Sequence, residues 1–165
     1  MSDQIIVDYA NTVLDKDKLN AFLDFYDFIS INKLGTRKTG RKINGSWAIT
    51  SHSQRICGLG FYENSWSIGF FNLFHTKEWF ERCEKYLTAE LKKIIIANIN
   101  ITSSCCVKGV CHSVKNKVIL GKMIENRVCA CVPIKFINPD DKMLVYAKEL
   151  ALIGKKVIAE WKQVV

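Results

Sequence analysis

Residues 56 to 71 constrain the fold more than any other stretch. If Glu63-Asn64 is a two-residue turn, Phe61 faces Trp66, Leu59 faces Ile68 and Cys57 faces Phe70 on one side of a ribbon. That side is wholly apolar. The opposite side carries Gly58, Gly60, Gly69, Ser65 and Ser67, with Ile56, Tyr62 and Phe71 near its ends. A slip of one residue would mix the two sets, so burial of the apolar side sets the register. Glycine within a strand lets a neighbour come close. The small-residue side is therefore expected to face solvent or to lie under a helix or a second chain.

The same change of period organises the rest of the chain. Ser46 to Leu73, with Trp47 and Ile49 at its start, reads as a three-stranded meander. Before it, Leu19, Phe22, Leu23, Tyr26 and Ile29 recur at helical spacing and predict a helix over 16–31, closed by Gly35. Thr36 to Gly45 follows as a basic loop with Arg37, Lys38, Arg41 and Lys42. After the meander, Trp79, Phe80, Cys83, Leu87, Leu91, Ile94 and Ile95 predict one central helix over 76–98, with Thr76 as its N-cap. Asn138-Pro139-Asp140-Asp141 announces a last helix, 140–163, with Asn as cap, Pro in the first turn and acids at the positive end of the dipole. Its stripe runs through Met143, Ala147, Leu150, Gly154, Val157, Ile158 and Trp161. The expected fold class is α+β: an antiparallel sheet, comprising the meander near 46–73 and C-terminal strands, packed with an N-terminal, a central and a C-terminal helix. A chain of 165 residues suits a single domain.

Charge is laid out unevenly. Residues 1 to 31 hold six acids and two bases, −4, which leaves 22 bases and ten acids, +12, for the remainder of a chain whose net charge is +8. A basic body can meet an anionic partner. No apolar run is long enough for a membrane helix, and Asp3 and Asp8 do not suit the cationic start of a signal peptide. A cytoplasmic protein with no membrane partner is expected, and a homo-oligomer is open.

Seven cysteines in a reducing compartment point to buried thiols, ligands or reactive groups rather than disulfides. Cys57 lies on the apolar ribbon side and Cys83 on a helical stripe, so both read as small core residues. The other five, Cys105, Cys106, Cys111, Cys129 and Cys131, fall within 27 residues, 105–131, with His112 beside the third. Thiolate and imidazole are ligands that zinc prefers, and thiolates hold iron-sulfur clusters. Cys106, Cys111, Cys129 and Cys131 form the expected metal set, with Cys105 or His112 as substitutes. A hairpin over Val114 to Asn126, turning at Gly121, would bring its two halves together. Neither pair has the familiar two-residue gap of structural zinc sites. Lys108, Lys115, Lys117, Lys122 and Arg127 could instead activate a redox thiol, or the cysteines could replace Val or Ala in a core.

Residues 105 to 150 add a resemblance. The cysteine cluster followed by Val118-Ile-Leu-Gly-Lys-Met-Ile-Glu-Asn-Arg-Val-Cys129 and then by Phe136-Ile-Asn-Pro-Asp-Asp141 resembles the C-terminal part of a group of small bacterial proteins, mainly from anaerobic Firmicutes. There a cysteine-rich stretch precedes a GK-x3-N-x2-C segment and an NPD helix start. The resemblance implies that the cysteines belong to a shared module; it supplies no catalytic residue. The C-x2-C spacing of the group is absent here.

No nucleophile elbow, P-loop, dinucleotide fingerprint or HExxH occurs. His52 lies in an expected turn, His75 at a helix start, and only His112 has chemical company. A non-enzymatic protein with a structural zinc or iron-sulfur site is the leading expectation. Second stands a single-stranded nucleic-acid or other anion-binding module, using Arg37, Lys38, Arg41 and Lys42 and strand aromatics Trp47, Tyr62, Trp66 and Phe71. A thiol redox sensor is third.

Overall fold

The computed structural model describes residues 2–39, 45–70, 77–101, 117–125, 128–129 and 132–163. The chain divides into two compact units, one of residues 1–69 with 136–165 and one of residues 70–135.

The first unit opens with two helices, α1 (Ser2–Val13) and α2 (Lys16–Ile31). Sequence periodicity does not reveal α1, which buries Ile6 and Ala10, because Ile6 sits in a β-branched Ile5-Ile6-Val7 run of low helix propensity. Asp15 caps α2 by accepting from the Lys18 N–H at 3.0 Å. The end of α2 corrects the expectation for Gly35. Lys33 takes the left-handed position, φ 52°, and the Leu34 N–H reaches back to the Ile29 carbonyl at 3.0 Å, which satisfies the last turn without glycine.

Gly35 instead opens strand β1 (Gly35–Lys38), so Arg37 and Lys38 lie on a strand and not in the expected loop. It is followed by β2 (Ser46–Ser51), β3 (Gln54–Tyr62) and β4 (Ser65–Phe70). Strand β7 (Ile134–Ile137) completes an antiparallel five-stranded sheet of order β1-β2-β3-β4-β7. Turn chemistry decides the corners. His52 and Ser53 both have positive φ, 48° and 66°, the conformation that suits a tight hairpin between β2 and β3.

The β3–β4 turn falls at Glu63-Asn64 as expected, and Cys57, Leu59, Phe61, Trp66, Ile68 and Phe70 are all buried. Helices α1 and α2 supply rings to this side. Phe22 meets Phe61 and Trp66 edge-on at 5.1 and 5.7 Å, while Tyr9 packs on Trp47 and Phe61 at 5.4 and 5.8 Å. The small-residue side is not open to solvent either, since Gly58 and Gly69 are buried and Ser67 is 3% exposed.

Helix α5 (Asp141–Lys162) closes the unit. Its cap is Asp140, which accepts from the Met143 N–H at 2.8 Å, and not Asn138. Asn138 sits at φ 42° with Pro139 behind it, outside the helix, and is engaged elsewhere. Helix α5 runs parallel to α2: Lys148 pairs with Asp24 at 2.7 Å, and Lys155 donates to the Asn32 carbonyl at 2.8 Å.

In the second unit the expected central helix is two, α3 (Lys77–Glu84) and α4 (Ala89–Ala97). Thr88 breaks the stripe by capping α4, its hydroxyl accepting from the Leu91 N–H at 3.1 Å. A continuous apolar period does not reveal such a break, because the tight turn through Tyr86 and Leu87 keeps Cys83, Leu87 and Leu91 buried together. Thr76, the expected cap, lies outside the described residues. The hairpin about Gly121 is present, formed by β5 (Lys117–Ile119) and β6 (Lys122–Ile124), with Leu120 and Gly121 at φ 52° and 73°.

Candidate thiolate segment and basic strand

Asn100 organises the one part of the cysteine cluster that is described. Its N–H donates to the Pro133 carbonyl at 2.8 Å, its Nδ2 donates to the Val132 carbonyl at 2.9 Å, and its carbonyl accepts from the Cys129 N–H at 2.9 Å. Flanking antiparallel bridges join Ile99 to Ile134 and Ile101 to Val128. A β-branched run after α4 alternates here with asparagines, and the amide side chain supplies a bond that a regular ladder would not.

Cys129 is 1% exposed, and its Sγ accepts from the Val132 N–H at 3.2 Å. An N–H directed at sulfur holds the side chain in one orientation. Cys105, Cys106, Cys111, His112 and Cys131 lie outside the described residues. Among the described residues no three His, Cys, Asp or Glu side chains converge on a metal position. Cys57 and Cys83 have the role expected of them: burial pushes each thiol up to about 12, where neither is a nucleophile at neutral pH.

The basic residues divide similarly. Arg37 and Lys38 are exposed on edge strand β1, whereas Arg41 and Lys42 fall outside the described residues. Thr39 closes the strand end on Ser46 through its N–H at 2.7 Å and its hydroxyl at 2.9 Å. Lys38 Nζ stands 5.7 Å from the Trp47 ring centroid. Arg55 carries no local signal in the sequence. It is opposite Thr50, and Arg37 is opposite Ala48, so two guanidinium groups flank β2 two residues apart. Burial lowers the Arg55 pKa, and the neighbouring Arg37 charge acts in the same sense. The signal lay in the pairing across β2, which no local motif encodes. Trp47 and Trp66 are 1% and 0% exposed and spend their faces on ring packing, while Tyr62 is about half exposed. Phe71 is outside the described residues.

No helix among the described residues is long and apolar enough to cross a membrane. Comparison of the chain with protein-family models, curated proteins and solved structures found no match. What the geometry defines is therefore an α+β protein with a buried, N–H-bonded cysteine and a basic edge strand.

Proposed function

We propose that the chain carries a structural thiolate centre for zinc or an iron-sulfur cluster, with Cys129 as its buried anchor. Cys106, Cys111 and Cys131 are the other ligands, and Cys105 or His112 can substitute for one of them. The observation that carries the proposal is the Val132 N–H donating to Cys129 Sγ at 3.2 Å, the kind of outer contact that orients a metal-bound thiolate. The β5–β6 hairpin supports it. Lys117 lies opposite Ile124, and Cys111 and Cys129 stand six and five residues from that closed pair, so similar lengths of chain lead to each half of the cluster. Four thiolates leave no open coordination position for water, which makes the centre structural rather than catalytic. Metal binding then fastens the hairpin, because affinity is coupled to ordering of the ligand segments.

The test is elemental analysis and a visible spectrum on protein purified without oxygen and without a polyhistidine tag. About one zinc or one cluster per chain is expected, with metal and stability both lost in a Cys129→Ser, Cys131→Ser variant. Native protein holding well under one metal per chain, together with an equally stable variant, would reject the centre and leave the thiols as redox groups or packing.

A second function, binding of an anion such as a single-stranded nucleic acid, is favoured by Arg37 and Arg55 flanking β2. Phosphate contacts by arginine are salt-sensitive and independent of base. An oligonucleotide shift that weakens with salt and disappears in an Arg37→Ala, Arg55→Ala variant is expected; a shift unchanged in that variant removes these residues from the site.

A further inference from the structure

Helices α2 and α5 lie side by side and parallel, linked at one level by Asp24–Lys148, 2.7 Å, and further along by Lys155 to the Asn32 carbonyl. Asp24 is 58% exposed in this pair, and Lys148 also reaches the Phe28 ring, 5.9 Å from its centroid. Exposed apolar residues flank the ion pair. Val145 and Leu152, seven positions apart and so on one face of α5, are 61% and 41% exposed, and Ile31 on α2 is 78% exposed. Phe22, Phe25 and Ile29 of α2 and Leu144, Leu150 and Val157 of α5 are buried, whereas these three are exposed.

We propose that this face is an interface between two copies of the chain. The occupant follows from the charges. Asp24 lies on one helix and Lys148 on its neighbour at the same level. A two-fold axis running parallel to the helices, in the plane between two such faces, lays α2 of one copy over α5 of the other. Asp24 then stands across from Lys148 of the second copy, and the two ion pairs stack as a ring of alternating charge. Ile31 comes within about one helical turn, roughly 4.5 Å along the axis, of Leu152 of the second copy, so the two apolar groups meet diagonally beside that ring. A two-fold axis perpendicular to the helices at the level of the ion pair would instead place Asp24 on Asp24 and Lys148 on Lys148. Like charges so juxtaposed oppose that arrangement, so the ion pair selects both the partner and the axis. The surface is self-complementary in charge, as an isologous interface requires.

Sedimentation equilibrium of the full chain should show a dimer at about 100 µM, and Leu152→Glu should raise its dissociation constant by at least about tenfold, as for loss of a buried anchor. Asp24→Lys, which gathers four positive charges, should give a monomer. The double reversal Asp24→Lys, Lys148→Asp restores both the ion pair and the alternating ring, and it should dimerise with itself but not with the native chain. Circular dichroism checks that each variant is folded. A native chain that is monomeric at that concentration, a dimer indifferent to Leu152→Glu, or free mixing of the reversed and native chains would each overturn the proposal.

Discussion

Asn138 closes both backbone hydrogen bonds of Trp66: its N–H donates to the Trp66 carbonyl at 2.9 Å, and its side-chain oxygen accepts from the Trp66 N–H at 2.9 Å. The same oxygen accepts from the Ser65 hydroxyl at 3.2 Å. Asn138 thereby ties the exit of β7 to the first residues of β4. It does so at φ 42°, a conformation that asparagine tolerates better than most residues.

Asn138→Ala is expected to destabilise the protein by ~2–3 kcal/mol, combining an unsatisfied amide with left-handed strain. Asn138→Gly keeps the conformation and loses only the acceptor, so its cost should be smaller. Urea unfolding of both variants measures the order, and equal costs would show that strain contributes nothing.

Gly45 is held by Tyr9 from two directions. Its N–H donates to the Tyr9 hydroxyl at 3.0 Å, and a Cβ added to it would overlap the Tyr9 and Trp47 rings. The Gly45 carbonyl also accepts from the Phe61 N–H at 2.8 Å, which leaves the backbone little room to move. Gly45→Ala should therefore cost ~1–3 kcal/mol through overpacking, and Tyr9→Phe, which removes only the hydrogen bond, ~1 kcal/mol. Tyr9→Leu should offset part of the Gly45→Ala loss in a double-mutant cycle. Additive costs would mean that the two residues do not share the clash.

Asp15 titrates at about 2, held low first by its side-chain bond with Lys18, then by the Lys18 backbone N–H, with the Asn64 side chain a smaller contribution. A depressed carboxyl stabilises the fold above its unfolded value of about 3.9 and loses that contribution as pH falls through the folded value. The stability difference between native protein and Asp15→Asn should stay constant above pH ~5 and shrink between pH ~4 and ~2. Unfolding midpoints across that range test it, and a difference that ignores pH would show that Asp15 is not held low.

Cys57 and Cys83 predict the alkaline limb. Both thiols are pushed up to about 12 by burial, so above an unfolded value of about 8.5 the unfolded chain binds fewer protons and stability falls as pH rises. Each thiol contributes a slope of ~1.4 kcal/mol per pH unit between those values. Replacing both with alanine should flatten the limb between pH 9 and pH 11, whatever it costs at neutrality, and native protein should react with a disulfide reagent at these positions only on unfolding. Rapid labelling of Cys57 in folded protein would contradict its burial.

Strand parity alone determined the β3–β4 ribbon, because six apolar side chains on one side leave a single register that buries them all. The α2 and α5 stripes and the Gly121 hairpin were legible for the same local reason, and so were Cys57 and Cys83 as core residues. Only tertiary structure decided the roles of the asparagines and of Thr88. Asn138 has the residue type of a helix cap, but the Trp66 backbone competes for its side chain across 72 positions, and the cap passes to Asp140. Thr88 interrupts an apolar stripe whose residues Cys83, Leu87 and Leu91 stay buried across the break. Arg37 was visible as a charge, yet its neighbour Arg55 is set by strand pairing through β2. The orientation of Cys129 toward the Val132 N–H likewise depends on Asn100, 29 positions earlier, because a hydrogen bond between distant segments exists only once the chain has brought them together.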